Sequence, residues 1–364
     1  MDAAGDRYPS NLITEAPKSG DKVRREATTM SINTLKELFT YDNWANDRVL
    51  NSALGLPDEK LDRPIEMGPG TLRETLRHIY GSARIWHERV GGLDHATLPR
   101  ARDLSAVGDI RSGVCRLADL RSCWLAPLDE AAMERPVAYV GADGKPSTNI
   151  LTDILLHVIN HGIHHRAQVL NMFRQVGAQL PQNGADYIFM YVEDQERAAP
   201  TLDTDAIRRY SAYSSWAFDQ VVTAAAGLKD DQLDREFEMG LGTLRKTLVH
   251  IHDAETWWWH NWHEGPGCAF PAPDLTLTTA RLREMFRETG QRRNQFIADK
   301  TPEDLRQPIR IVIRQVKKLT FPLGVTMLQL CCHGTHHRAQ AINMLRRLGA
   351  TPPKVDLVAW ARSQ

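Results

Sequence analysis

The sequence predicts an all-α protein made of two tandem four-helix bundles that form a pseudo-dimer, each bundle with one short extended crossover. Two observations predict this fold. The octapeptide "HGIHHRAQ" at 161–168 returns 172 residues later as "HGTHHRAQ", and "GTLR" at 70–73 returns at the same offset. A constant offset is typical of a duplicated structural unit. Each unit also contains four long segments whose apolar residues recur at helical spacing.

The domain boundaries follow from this repeat. A length of 364 residues suits two domains of common size better than one. We expect a disordered N-terminal tail at 1–30, a first bundle at 31–192, a linker at 193–202 and a second bundle at 203–364. The tail is expected because its residues are polar and charged, lack helical periodicity and have no counterpart ahead of the second unit.

The first two helices have recognisable ends. Ser31 is suited to cap the N-terminus of helix one, and Gly55 is suited to close it. Helix two is expected to begin at Thr71 and to end before Gly91. Glu74 follows Thr71 by three residues, which is the pattern of a capping box.

Helices three and four are expected at about 106–128 and 149–177. Between them, apolar residues flank Asp143 and Gly144, a pair typical of a hairpin turn. The second unit repeats the order, with helices at about 203–226, 243–264, 277–298 and 323–348. Its crossover, "PIRIVIRQVKKLTFP", alternates like a strand.

Composition narrows the class of partner. Acids and bases number 45 each, so the chain has no net charge, and nucleic acid is not an expected partner. No run approaches 18 consecutive apolar residues, and the first 30 residues lack the apolar core of a signal peptide. We therefore expect a soluble, cytoplasmic protein that binds no membrane. The expected partner is a small-molecule substrate.

The cysteines do not indicate a disulfide framework. They lie at 115, 123, 268, 331 and 332, and none recurs at the 172 offset. Cys331 and Cys332 adjoin His333, but the first unit has Ile159 and Asn160 there. Thiolate ligation of a metal is therefore not a mechanism that the two units share.

The histidines of each unit have the spacing of a metal site. His161 and His165 are one helical turn apart, so their imidazoles project from the same face, with Cβ atoms about 5–6 Å apart. His78 lies on or beside the apolar stripe of helix two. The repeat carries the same set to His250, His333 and His337. Three neutral imidazoles leave a divalent metal with open positions, as in catalytic sites.

A structural interpretation competes with this one, because a single histidine on an apolar face is often a hydrogen-bonded core residue. Burying several imidazoles without partners costs a few kcal/mol in each bundle, so we favour metal binding. The adjacent residues that could orient the ligands are Arg166, Gln168, Arg338 and Gln340. For the two arginines we favour a salt bridge to a neighbouring helix. His164 and His336 are repeated too, and we expect them at the surface or behind the ligands.

Three consecutive tryptophans, Trp257 to Trp259, could line a ligand pocket in the second unit. Only Trp258 has a tryptophan counterpart, Trp86, at the common offset. We therefore favour packing in the core or between the units for this cluster.

The motifs resemble one known family. "LLHVINHGIHHRAQ" and "MLQLCCHGTHHRAQ" each follow a helix with "LRHI" or "LVHI" and a tryptophan eight residues after its histidine. This is similar to the DinB-like metal-dependent four-helix bundles, over about 150 residues in each unit. The resemblance implies that His78, His161 and His165, with their three counterparts, bind divalent metal (Zn, Ni or Fe), about two ions per chain. Family members usually pair as dimers, so the tandem chain is expected to be an internal pseudo-dimer and can be monomeric.

Known relatives include thiol-dependent transferases and isomerases that use low-molecular-weight thiols. The resemblance therefore implies a metal-dependent enzyme of the thiol-dependent S-transferase or isomerase type, with metal-activated water, and thus hydrolysis, as a further route. The chain contains no HExxH and no GxSxG, which disfavours a metalloprotease or a serine hydrolase. The alternative is a non-catalytic, metal-stabilised binding or stress-response protein. Three ligands in an open site favour the enzyme, and a fourth protein ligand favours the alternative.

Overall fold

A computed structural model describes residues 31–92, 97–141, 144–265, 267–313 and 317–364. The predicted tail at 1–30 and Asp143 of the predicted turn lie outside these residues. The described chain is predominantly helical, with two small antiparallel sheets, so the predicted fold class is confirmed. Among these residues, no helix combines the length and the apolar character that a membrane span requires.

The first unit contains the four long helices in the expected order, with short helices between them. Its elements are α1 Ile32–Ala53, α2 Asp58–Leu61, α3 Leu72–Arg89, a 3-10 turn Ala101–Asp103, α4 Val107–Leu125, α5 Glu130–Met133, β1 Pro136–Val140, β2 Pro146–Ile150, α6 Leu151–Gln175 and α7 Tyr187–Glu193. The crossover between α4 and α6 is a hairpin in which β1 and β2 pair antiparallel.

The second unit repeats this arrangement. Its elements are α8 Thr204–Ala225, α9 Asp230–Leu233, α10 Leu244–His263, α11 Thr279–Ala298, α12 Pro302–Arg306, β3 Pro308–Ile313, β4 Lys317–Pro322, α13 Leu323–Arg347 and α14 Leu357–Arg362. The predicted extended crossover is the hairpin of β3 and β4.

The helix caps are largely those that the sequence predicts. The Ser31 hydroxyl accepts the backbone N–H of Asn33 at 3.2 Å, and the Thr71 hydroxyl accepts that of Glu74 at 3.1 Å. The Glu74 carboxylate forms a salt bridge with Arg77, one turn further along the helix. Only one of the two bonds of the predicted capping box therefore forms, because the charged donor makes the stronger bond.

The helices α6 and α13 form the centre of the molecule. Both are buried along almost their whole length, because each packs on the other helices of its own bundle and on the equivalent helix of the other unit. Polar side chains such as Asp153, Asn160 and Arg166 are therefore buried on α6 together with its apolar ones.

The short helices α7 and α14 are exchanged between the units. α7 follows α6 but packs on α13, and α14 follows α13 but packs on α6. The Gln329 side chain accepts the backbone N–H of Ile188 at 2.9 Å, and the Asn149 amide donates to the Val358 carbonyl at 3.0 Å. We call this arrangement the helix exchange. It joins the two bundles into the expected pseudo-dimer.

Buried polar bonds also cross between the units. The Asn160 amide donates to the Tyr213 hydroxyl at 3.0 Å, and the Thr335 hydroxyl donates to the Asn160 oxygen at 2.9 Å. At one end, Asp203 accepts from the Ser31 backbone and the Thr34 hydroxyl, both at 2.9 Å. Each bond requires a specific partner in the opposite unit, so together the bonds fix the position of one unit relative to the other.

Candidate metal centres

Three histidines of the first unit converge between α3 and α6. His78 comes from α3, and His161 and His165 come from consecutive turns of α6. One ring nitrogen from each lies within 4.8 Å of the others, and the Nε2 atoms of His78 and His161 are 3.2 Å apart. The His165 ring centroid is 4.4 Å from that of His78 and 4.3 Å from that of His161. We call this the first histidine cluster.

The second histidine cluster repeats this geometry between α10 and α13. It consists of His250, His333 and His337, again with one nitrogen from each within 4.8 Å of the others. The Nε2 atoms of His250 and His333 are 3.3 Å apart, and the His337 ring centroid is 4.6 Å from His250 and 4.4 Å from His333. The structure thus brings together, in each unit, the three histidines that the repeat singled out.

Burial keeps these imidazoles neutral. Desolvation, reinforced by the neighbouring histidines, lowers the pKa of His161 and His165 well below the ordinary value of 6.5. The pKa of His337 is lowered in the same way, and desolvation lowers the pKa of His333 to about 4. A neutral imidazole has one nitrogen with a free lone pair, which is the form that binds metal. Each cluster is therefore a donor set that could hold a metal ion.

Gln168 contacts a histidine of the cluster directly. Its Oε1 lies 2.8 Å from His165 Nδ1, and its Nε2 lies 3.2 Å from the Nε2 of His164. An amide oxygen only accepts hydrogen bonds, so His165 carries its proton on Nδ1 and its Nε2 lone pair is free to face the cluster. The second unit repeats both contacts, at 2.9 Å between His337 and Gln340 and 3.1 Å between Gln340 and His336.

Arg166 and Arg338, which directly follow the last histidine of each cluster, bind side chains of other helices. Arg166 forms a buried salt bridge with Asp42 of α1. Position 42 corresponds to Ser214 in the second unit, so Arg338 instead donates to the Ser214 hydroxyl at 2.8 Å and to the Thr335 hydroxyl at 2.7 Å. The contacts of both arginines thus tie the histidine helix to the first helix of its unit.

Two glycines lie directly against the side chains of the glutamines. The sequence analysis did not single them out. Gly68 has φ +50°, and a Cβ at this position would lie 2.3 Å from Gln168 Oε1. Gly240 has φ +52°, and its Cβ would lie 2.4 Å from Gln340 Oε1. The repeated "EMGPGT" and "EMGLGT" could have indicated a backbone requirement. Only glycine leaves room for the amide and adopts this backbone conformation without strain.

Gly68→Ala is therefore expected to displace Gln168 and to weaken metal binding at the first cluster by about 10–100-fold, the usual effect of losing a partner behind a ligand. His333→Ala provides a background that isolates this cluster, and competition with a chelator measures the affinity. Gly70→Ala is the matched control, because Gly70 also has a positive φ, +102°, but a Cβ there meets nothing within 4 Å. Equal weakening by both substitutions would show that backbone strain, and not the glutamine, is responsible.

Metal content is expected to depend on pH in a defined direction. The folded-state pKa of His333 is lowered from 6.5 to about 4. Between these two pH values, His333 is therefore protonated in the unfolded chain and neutral in the folded chain. The stabilisation is complete above pH 6.5 and is lost as pH falls toward 4. Protons also compete with the ion for the ring near that pKa. Elemental analysis after dialysis should therefore show that the metal is retained below pH 6.5 and is lost as pH falls to about 4 and below. Full occupancy at about pH 3 would argue against histidine ligation.

The helix exchange places a carboxylate of one unit near a histidine on the central helix of the other unit, α13 or α6. Asp186, the residue directly before α7, lies 4.0 Å from His336 Nδ1. Asp356, the residue directly before α14, lies 3.8 Å from the Nδ1 of His157, whose ring centroid is 5.8 Å from that of His161. Sequence reasoning missed both acids, because each belongs to a short helix whose packing partner is more than a hundred residues away.

Comparison with known proteins identifies relatives of both units. The model of the family described as "DinB family" matches residues 30–198 and 202–364, and each match includes one histidine cluster. Protein DinB of Bacillus subtilis (strain 168) is 25% identical over 162 residues, which cover 42% of this chain and 93% of that protein. No solved structure matches the chain.

Proposed function

The chain belongs to the DinB family, and from this we propose that it is a metal-dependent enzyme that holds one divalent ion, Zn, Ni or Fe, in each histidine cluster. The proposed ligands are His78, His161 and His165 in the first unit and His250, His333 and His337 in the second. We propose a reaction of the thiol-dependent S-transferase or isomerase type on a small-molecule substrate.

The number of ligands carries this proposal. Each group of metal-ligating side chains in the described residues consists of three histidines, with no fourth histidine, cysteine or acid. Structural zinc sites use four protein ligands, whereas catalytic sites use three and leave a position for water or substrate. The clusters therefore favour catalysis over a purely structural ion.

The residues of the chain would hold and orient the reacting group. The three neutral rings supply lone pairs, and Gln168 and Gln340 fix the tautomer of one ring in each cluster. A bound divalent ion would supply Lewis acidity toward a water or thiol at its free positions. Burial raises the pKa of Cys331 and Cys332, so these thiols resist ionisation. An external thiol is therefore a better nucleophile than either of these two, which supports a low-molecular-weight thiol as cosubstrate.

Metal analysis followed by activity screening tests the proposal. The purified chain, loaded with Zn, Ni or Fe, is assayed with glutathione, mycothiol and bacillithiol against electrophilic acceptors. We expect turnover with one of these thiols and none in the His78→Ala, His250→Ala double variant. A fully loaded chain that turns over none of them would overturn the transferase assignment and favour the non-catalytic alternative.

We also propose a cellular compartment and an oligomeric state for the protein. All five cysteines are free, which suits a reducing compartment such as the cytoplasm. The surfaces of α6 and α13 that face each other are already paired within the chain, so we propose that a single chain is the working unit. Sedimentation of the purified chain tests this, because a stable dimer at micromolar concentration would contradict it.

A further inference from the structure

We propose that the second histidine cluster selects a ligand with a flat apolar group, such as an aryl ring, next to its metal-binding head, and that the first cluster does not. This inference rests on the proposed function, since the head group requires a bound ion. It concerns a difference between two sites whose histidines are otherwise equivalent.

An exposed phenylalanine carries the inference. The ring centroid of Phe270 lies 5.4 Å from that of His250, with the two planes tilted by 31°. Phe270 nevertheless remains 45% exposed, so its packing on the histidine leaves much of the ring uncovered. A large exposed aromatic side chain next to a candidate metal ligand offers contact area to whatever binds there.

The loop that carries Phe270 is held in place by a second aromatic residue. Trp257 of α10 donates its indole N–H to the Cys268 carbonyl at 2.9 Å, and its ring centroid lies 6.1 Å from that of Phe270. We call Phe270 and Trp257 the aromatic wall. The hydrogen bond fixes the backbone two residues before Phe270, so the wall is positioned before any ligand arrives.

The described residues of the first unit form no such wall. At the same offset, Leu98 stands in place of Phe270 and Ile85 in place of Trp257, and Leu98 is only 5% exposed. The corresponding stretch 92–106 contains no Phe, Tyr or Trp. Among the described residues, a ligand at the first cluster therefore meets no equivalent aromatic surface to stack on, which makes the two sites of the chain different in specificity.

Two hydroxamates that share one metal-binding head provide the test. The His161→Ala chain retains the second cluster and the His333→Ala chain retains the first. Each is loaded with Co²⁺ and titrated with acetohydroxamate and benzohydroxamate, with the visible spectrum of the ion as readout. We expect the ratio of benzohydroxamate to acetohydroxamate affinity to be about tenfold higher at the second cluster, the size of one aromatic contact. Phe270→Ala should abolish this difference.

The controls separate this inference from the proposed function. Leu275→Ala removes another exposed apolar side chain, 40% exposed, from the same loop, and should leave the ratio unchanged. Failure of both chains to bind Co²⁺ would overturn the proposed function. Chains that bind Co²⁺ and both hydroxamates with the same ratio at the two clusters, or with no effect of Phe270→Ala, would overturn the aromatic selection alone.

Discussion

The double variant His161→Ala, His333→Ala is expected to bind no metal, whereas the wild-type chain is expected to bind about two ions. Each substitution removes one of three ligands from its own cluster, and two remaining imidazoles hold a divalent ion only weakly. The variant should keep its helical circular dichroism, because the bundle cores consist of apolar side chains from the long helices. Elemental analysis and circular dichroism on the same sample measure both effects.

The single variants decide whether the clusters act separately. His161→Ala should leave about one ion per chain, and His333→Ala should do the same, because no histidine of one cluster is a member of the other. A folded His161→Ala chain with no metal at all would show that the two clusters form one coupled centre.

Asp42→Ser is expected to be the most destabilising single substitution of those considered, at about 3–5 kcal/mol. Asp42 is 3% exposed, and its carboxylate pairs with Arg166 and lies 3.7 Å from the guanidinium of Arg121. Both arginines are buried, so removing the acid leaves two cations without their shared carboxylate. Urea unfolding of the metal-free chain measures the loss.

The second unit supplies the rescue for this variant. It has serine at the equivalent position, and there Arg293, the counterpart of Arg121, pairs with Glu255. The first unit has Ala83 where Glu255 stands. Adding Ala83→Glu to Asp42→Ser should recover about 1–3 kcal/mol, the usual range of coupling between contacting residues. A double variant no more stable than Asp42→Ser alone would show that the loss does not come from the unpaired Arg121.

The long helices and the grouping of the histidines could be predicted because their determinants are local or repeated. Apolar spacing and caps such as Ser31 act within a few residues, and one helical turn separates His161 from His165. The repeat then linked these two to His78, about eighty residues earlier in the chain. Nothing more than the sequence was needed for these conclusions.

The contacts around the clusters could not be predicted in the same way. Asp186 contacts His336 of the second unit only because α7, a helix of seven residues, packs on that unit. No periodicity in the sequence indicates such a packing partner. Gly68 was visible as a repeated glycine, but its role depends on a glutamine one hundred residues later. The sequence also showed that Asp42 is replaced by Ser214, without showing that Glu255 compensates on another helix.

The helix exchange has a consequence for how the protein can evolve. In a dimer of identical chains, every substitution appears on both sides of the two-fold axis and must be tolerated twice. Here both halves lie in one polypeptide, so each can mutate alone while the exchanged helices keep them together. Glu255 opposite Ala83 and Phe270 opposite Leu98 are such one-sided changes. A duplicated gene of this kind can preserve the original chemistry in one half while the other half acquires a new preference.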